Sequence, residues 1–395
     1  PSSVSGIDQC VPSPPAGGEG GRRPDEGGSN VIRVQLLIPT LDQSGAEKQL
    51  ALLATRLPRD EFEVEVVALT RGGPYEDVLR EADIPVTVIG KCCKFDPFAL
   101  RRLKRLIRAR QPDILHTWLF AANTYGRLAV GSRPQPKIVV SERCVDSWKA
   151  GWQLWFDRKL VSRTDRLIGN SQAVVDFYRD VGVPNDRLLV IRNGVETPAD
   201  STRSREAVCD ELNVPHSARL VGFVGRLAPQ KRLKDLIWAF HLLVSVQPDA
   251  YFVIVGDGPE RAQLEKFAAD IPTKGQVRFI GHREHAGDIM RHFDTFWLAS
   301  DFEGQSNSLM EAMAAGVPVV ASDIAPNMEL VTHEETGLIV PVGDKATFAM
   351  AVDRLLKEPD FAGGIAANAR RQMREKFSID AMVNAHAELY RELAA

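Results

Sequence analysis

From Val31 onward, short runs of aliphatic and β-branched residues alternate with longer stretches whose apolar positions recur every three or four residues. The short runs predict strands at 31–38, 62–69, 86–89, 113–116, 138–141, 166–169 and 188–191. After a polar, Pro-containing stretch at 197–205, a second series predicts strands at 220–224, 251–255, 277–280, 295–298, 317–320 and 338–340. Helical periods separate most of them. Strand and helix in alternation imply parallel sheets covered by crossover helices, so the chain reads as α/β with two doubly wound, Rossmann-like domains, over 31–195 and 196–377. Ligands of such sheets sit beyond the carboxyl ends of the strands, which two facing domains would gather around one cleft.

The first thirty residues break this rhythm. They hold seven glycines, five prolines and five serines. Too little apolar area is available there to offset the entropy of ordering, which predicts a disordered tail.

Composition narrows the class. At 395 residues, 44% hydrophobic and 26% charged, the chain suits two ordinary globular domains. A net charge of −3 argues against a nucleic-acid partner. No apolar run reaches the length of a membrane span, and the amino terminus lacks a basic segment followed by an apolar one, so a cytoplasmic location is expected. Five cysteines without C-x-x-C spacing predict neither structural zinc nor a disulfide framework.

Chemistry concentrates in the second series. The run DFEGQSNSLMEAMAAGVPVVAS carries Glu303 and Glu311 on a loop that enters a helix, with Ser308 as its expected cap and Gly316 and Pro318 as its end. A helix start offers free N–H groups and the positive end of the macrodipole to a phosphate, with the two carboxylates beside it. Ser308-x-x-Glu311 is equally a capping box that would serve the helix alone. Upstream, GFVGRLAPQKR places Gly225, Arg226 and Lys231 just after a buried strand, a backbone that permits close approach followed by a guanidinium and an ammonium suited to a diphosphate. A solvated basic loop is the plainer reading of that segment alone. Gly256 and Gly258 open a G-x-G, but Arg261 stands where a third glycine would complete a dinucleotide fingerprint.

Taken in order, G-F-V-G-R-L-x-P-x-K, V-G-D-G-P at 255–259 and E-G-x-S-N-S-L-x-E-A-M-A-x-G-x-P-V-V-A-S closely resemble the retaining glycosyltransferases of family 4, the glycosyl transferases group 1, which adopt the GT-B fold. The first half agrees. It carries L-x-x-S-G-A-E at 41–47, P-D-I-L-H-T-W at 112–118, G-N-S at 169–171 and I-R-N-G-V at 191–195. The resemblance implies transfer of a hexosyl unit from a nucleotide-sugar, in UDP or GDP form, to a saccharide or lipid-linked acceptor, with no cofactor and no metal. It gives Arg226 and Lys231 the diphosphate, Glu311 the ribose hydroxyls and Glu303 the transferred sugar. Gly45 and Gly225 would face the donor, N–H groups of Asn307, Ser308 and Leu309 would cradle phosphate, and the stretch around His282 and Arg283 would meet the base. His116, expected to end a strand at the cleft, would contact the sugar. In many relatives a second histidine stands where this chain has Trp118, and a glycine where it has Ser44. The last helix, near 378–395, would cross back onto the first domain.

Two readings of the same architecture compete: a nucleotide-sugar 2-epimerase, and a binding protein without turnover. The resemblance implies that the acceptor is bound mainly by the first domain, the more variable one in such transferases. There, Arg101, Arg102, Lys104, Arg105, Arg108 and Arg110 lie on a Leu-rich helical period, and Trp148, Trp152, Trp155 and Phe156 share one helical face. Both patterns suit peripheral contact with an anionic membrane at its inner face, as well as a solvated face and a core stripe respectively.

Overall fold

Seven parallel strands and six parallel strands form the two sheets of the computed structural model, which describes residues 31–147, 149–196, 203–273 and 275–395. The predicted tail, Trp148 and most of the predicted linker lie outside the described residues. The first sheet comprises β1 (Ile32–Ile38), β2 (Phe62–Ala68), β3 (Val86–Val88), β4 (Ile114–Trp118), β5 (Lys137–Glu142), β6 (Arg166–Gly169) and β7 (Leu188–Val190), in the order β3-β2-β1-β4-β5-β6-β7. The second comprises β8 (Arg219–Val224), β9 (Ala250–Val255), β10 (Val277–Gly281), β11 (Thr295–Leu298), β12 (Val319–Ser322) and β13 (Leu338–Val340), in the order β10-β9-β8-β11-β12-β13. Strand order reverses between β1 and β4 and again between β8 and β11. At such switch points adjacent crossovers run to opposite faces and leave a crevice at the strand ends.

Every predicted strand is present, with two instructive shifts. The strand expected at 317–320 starts at Val319, because Gly316 takes a left-handed φ of 74° and Pro318 has no N–H to give a ladder. The strand expected to stop at His116 continues to Trp118 and passes directly into the helix Leu119–Val130. His116 is tolerated in mid-strand because both its ring nitrogens have partners inside the fold.

Helices cover both faces of each sheet, with local sequence marking their ends. Asp96 caps the helix Pro97–Arg110 by accepting from the Ala99 N–H at 2.8 Å, and Pro97 occupies the first turn, where a missing N–H costs nothing. Ser171 caps Gln172–Val181, which ends on Gly182 at φ 106°. Apolar side chains from the two faces of the first sheet form separate clusters around Leu36 and Leu37, whereas Trp297, Phe252 and Phe240 anchor a single continuous core around the second. Each such buried side chain contributes about 1.5–3 kcal/mol of transfer free energy. The last helix, Ile379–Ala394, packs Met382, Val383, Leu389 and Tyr390 into the core of the first sheet. Its start lies where the chain leaves the first sheet after β7, Val195 bridging to Ser378.

Candidate active site

Loops at the carboxyl ends of the strands converge on a cavity of about 610 Å³. The first turn of the helix after β1, Gly45–Arg56, brings Gly45 and Lys48, the loops after β5, β6 and β7 bring Arg143, Asn170 and Asn193, and those after β8 and β9 bring Gly225, Arg226, Lys231 and Asp257. Arg283 comes from the loop after β10, and Glu303, Asn307, Ser308 and Glu311 from the loop and helix after β11. The switch points of both sheets therefore open onto the same space.

V-G-D-G-P acts as a buttress. A Cβ on Gly256, whose φ is 136°, would meet the Gly225 carbonyl oxygen at 1.9 Å, so only glycine allows the β8 and β9 turns to nest. Leu227 N–H donates to the Asp257 carbonyl at 2.9 Å, which sets the loop that presents Arg226. Arg226 is exposed and forms no ion pair among the described residues. Lys231 ends the short 3-10 turn Pro229–Lys231 and is ion-paired with Glu303, whose carboxylate also accepts from Gln230 Nε2 at 3.4 Å.

The helix bearing Glu311 is Asn307–Ala314, and its cap is Ser306, not Ser308. Ser306 Oγ accepts from the Leu309 N–H at 3.5 Å. Leu309 thus turns its N–H to the cap and its side chain into the core, and it does not line the cavity. The N–H groups of Asn307 and Ser308 have no intramolecular partner among the described residues and remain open to an anion. Glu311 forms no capping box either. Its carboxylate holds Lys48 Nζ of the other half at 2.6 Å; burial pulls the lysine's pKa down, but the charge and hydrogen bond of Glu311, together with Tyr75 and Glu196 nearby, leave it raised.

His116 stands apart. It is fully buried in mid-strand, Nδ1 lies 2.6 Å from Tyr390 Oη and Nε2 2.8 Å from Ser141 Oγ, and it does not line the cavity. The expectation of a cleft-side histidine is corrected. Burial, aided by the neighbouring His386 and Arg143, holds its pKa well below the usual imidazole range, so it is neutral.

A polar seam joins the halves at the cavity floor. Asn193 Nδ2 donates to Asn307 Oδ1 at 2.7 Å, Gln305 Oε1 accepts from the Asn193 N–H at 2.7 Å, and Gln49 bonds both backbone groups of Gly194. Asn307 Nδ2 also reaches the Gly45 carbonyl at 3.0 Å. I-R-N-G-V and S-G-A-E are thereby explained as one contact. Gly304 fits the same seam, because a Cβ there would lie 2.1 Å from the Arg143 carbonyl oxygen.

Arg143, Lys48 and Gln305 were not singled out from the sequence. Arg143 directly follows β5, the kind of position where open parallel sheets place ligand contacts, and that signal could have found it. Its guanidinium lies 4.5 Å from the Trp118 ring centroid and donates to Asn193 Oδ1. Burial pulls its pKa down to about 9, which leaves it charged at neutral pH. Lys48 immediately follows the S-G-A-E segment.

The lining carries five cations (Lys48, Arg143, Arg226, Lys231, Arg283) against four carboxylates (Asp257, Glu284, Glu303, Glu311). Near neutrality overall, it can grip an anion only through individually placed donors. The arrangement suits a diphosphate between Arg226, Lys231 and the open helix start, with acids on either side for hydroxyls.

Comparison with known proteins gives two family matches: glycosyl transferases group 1 over residues 204–375, and glycosyltransferase family 4 over residues 43–198. A lipopolysaccharide core biosynthesis glycosyltransferase, LpsD of Rhizobium meliloti, is 27% identical over 92% of this chain and 95% of its own. An Escherichia coli UDP-Gal:alpha-D-GlcNAc-diphosphoundecaprenol alpha-1,3-galactosyltransferase is 25% identical over 91% of this chain and 96% of its own. Among solved structures, Anabaena HepE in complex with UDP-glucose superposes with a TM-score of 0.82 at 22% identity, over 91% of this chain and all of that one. It shares the two-domain GT-B fold.

Proposed function

The chain belongs to the group 1, family 4 glycosyltransferases, and from that membership we propose that it moves a hexosyl unit from a nucleotide-sugar, in UDP or GDP form, to a saccharide or lipid-linked acceptor, retaining the anomeric configuration. Cell-surface polysaccharide or glycolipid synthesis is the setting, in keeping with the names of the relatives above. One observation carries this reading: Arg226, Lys231 and the open start of Asn307–Ala314 share a cavity with Glu303 and Glu311.

Departure of the nucleotide breaks the bond between the anomeric carbon and a phosphate oxygen, and negative charge grows on that oxygen. Fixed cations gain more from this charge in the transition state than in the ground state, so Arg226 and Lys231 act as catalytic groups without a divalent ion. Glu303, already paired with Lys231, orients a sugar hydroxyl or steadies positive charge on the ring. Glu311 takes the ribose hydroxyls, and Lys48 follows it into the nucleotide site. No carboxylate is assigned as a covalent nucleophile. The acceptor oxygen bonds the anomeric carbon on the face being vacated, and its proton passes to the leaving phosphate.

Substitution separates these roles. Arg226→Ala and Lys231→Ala are expected to lower kcat by about 10²–10³ with little change in nucleotide affinity. Glu311→Ala should weaken nucleotide affinity about tenfold. Wild-type kinetics in all three would overturn the site.

The acceptor side favours a membrane surface. Trp152 and Trp155 are 47% and 53% exposed rather than core, and Lys159 lies over the Trp155 ring. Two helices away, Pro97–Arg110 buries Leu103 and Ile107 and exposes Arg101, Arg102, Arg105, Arg108 and Arg110, with Phe98 exposed at its start. Aromatic rings flanked by such charge suit an anionic interface. Among the described residues no helix is long and apolar enough to cross a membrane. Flotation with anionic liposomes should carry the wild type, and Trp152→Ser/Trp155→Ser should halve the bound fraction or more. A wild type that never floats refutes the surface.

A further inference from the structure

At the floor of the cavity lies a positive charge with no negative partner. Arg143 Nη1 is buried and hydrogen-bonded to nothing, and among the described residues no carboxylate comes within ion-pair distance of its guanidinium. The adjacent Glu142 does not serve, because its carboxylate is taken by Asn123 Nδ2 at 2.9 Å and Lys149 Nζ at 3.5 Å. Trp118 on one face and Asn193 at Nη2 fix the guanidinium in place.

Two more unmet atoms share this floor. Asn170 Oδ1 and Gln305 Nε2 are both buried without partners. Neither is free to turn away: Asn170 Nδ2 faces the Arg143 carbonyl at 3.4 Å, and Gln305 Oε1 is held by the Asn193 N–H. A buried donor or acceptor left unpaired is destabilising, and an uncompensated buried charge is more so. Three such groups on residues that line one cavity suit an anion that carries a hydroxyl.

We propose that Arg143, Asn170 and Gln305 form a subsite for an anionic group of the acceptor, a phosphate or carboxylate borne on a sugar. The proposal rests on the transferase reading. The donor diphosphate has its own cations on the second half, whereas Arg143 belongs to the first. The Val145 N–H donates to the Glu303 carbonyl at 3.0 Å, so the Arg143 loop abuts the acid assigned to the transferred sugar.

The test is calorimetric titration of the full chain, saturated with UDP and in parallel with GDP, using α-glucose 1-phosphate, glucuronate and glucose. One anionic sugar is expected to bind at least tenfold tighter than glucose. Arg143→Gln should abolish that preference and Arg143→Lys should keep part of it, both with nucleotide affinity within twofold of wild type. If Arg143→Gln proves unfolded by circular dichroism, Asn170→Ala and Arg143→Lys carry the test by a reduced preference. An absent preference, one that survives in Arg143→Gln, or a loss of nucleotide affinity in its place would overturn the subsite. A protein that binds neither nucleotide would sink the transferase reading instead. Titration of inorganic phosphate into that protein would then decide the subsite by whether binding depends on Arg143.

Discussion

Both ring nitrogens of His116 are engaged by Tyr390 and Ser141, so its removal strands two buried hydroxyls. His116→Ala is expected to lower unfolding free energy by roughly 2–4 kcal/mol in urea titrations and to leave nucleotide affinity unchanged. A tenfold affinity loss at full stability would return the residue to the site. Arg226, Lys231, Glu303 and Glu311 were legible because each sits in a motif with fixed spacing to a strand end. Arg143 and Lys48 were not, because their meaning depends on partners 25 and 263 residues away, Trp118 and Glu311. Ser308 is the cap the sequence pattern expects, and the backbone places Ser306 there instead.

Among the elements, the segment between β5 and the helix Gly151–Leu160 is held by a buried charge cluster that periodicity gives no hint of. Lys149 Nζ contacts Asp146 at 2.9 Å, Asp157 at 3.2 Å and Glu142 at 3.5 Å, and Arg127 meets Asp157 at 2.7 Å. Three carboxylates face two cations, so one proton is retained. Burial places it on Glu142, whose pKa is pushed up to about 8. The unfolded carboxyl titrates near 4.5, so between that pH and about 8 the folded chain holds a proton that the unfolded chain has lost. Stability from this group is therefore full below pH 4.5, falls as pH rises through the window and levels above it. His386, held by burial at about 4, contributes in the opposite sense, adding stability as pH rises from there to 6.5. The difference between wild type and Glu142→Gln isolates the carboxyl. In urea titrations from pH 5 to 8.5, wild type should lose ground steadily against the variant, and a constant difference would show that Glu142 is ionised throughout.

At the scale of the molecule, the alternation of strands and helices made both sheets legible, since each crossover obeys a local rule. How the halves meet was not. The seam of Gln49, Asn193, Gln305 and Asn307, and the pair Lys48–Glu311, join residues far apart in sequence through side chains of unremarkable type. Glu329 adds a contact of the same kind, accepting from the Gln172 and Ala173 N–H groups at the start of the helix Gln172–Val181. The cavity thus exists only because the two sheets face each other, and its proposed occupant must touch both. Thermal unfolding in the presence of UDP-, GDP- and ADP-sugars tests this most directly, since a ligand of the native state stabilises it by mass action, about 2.7 kcal/mol at a hundred times Kd. One base class should raise the Tm in wild type, with about half of the rise lost in Glu311→Ala and in Lys48→Ala. No shift with any sugar nucleotide, or a shift indifferent to both substitutions, would contradict the account.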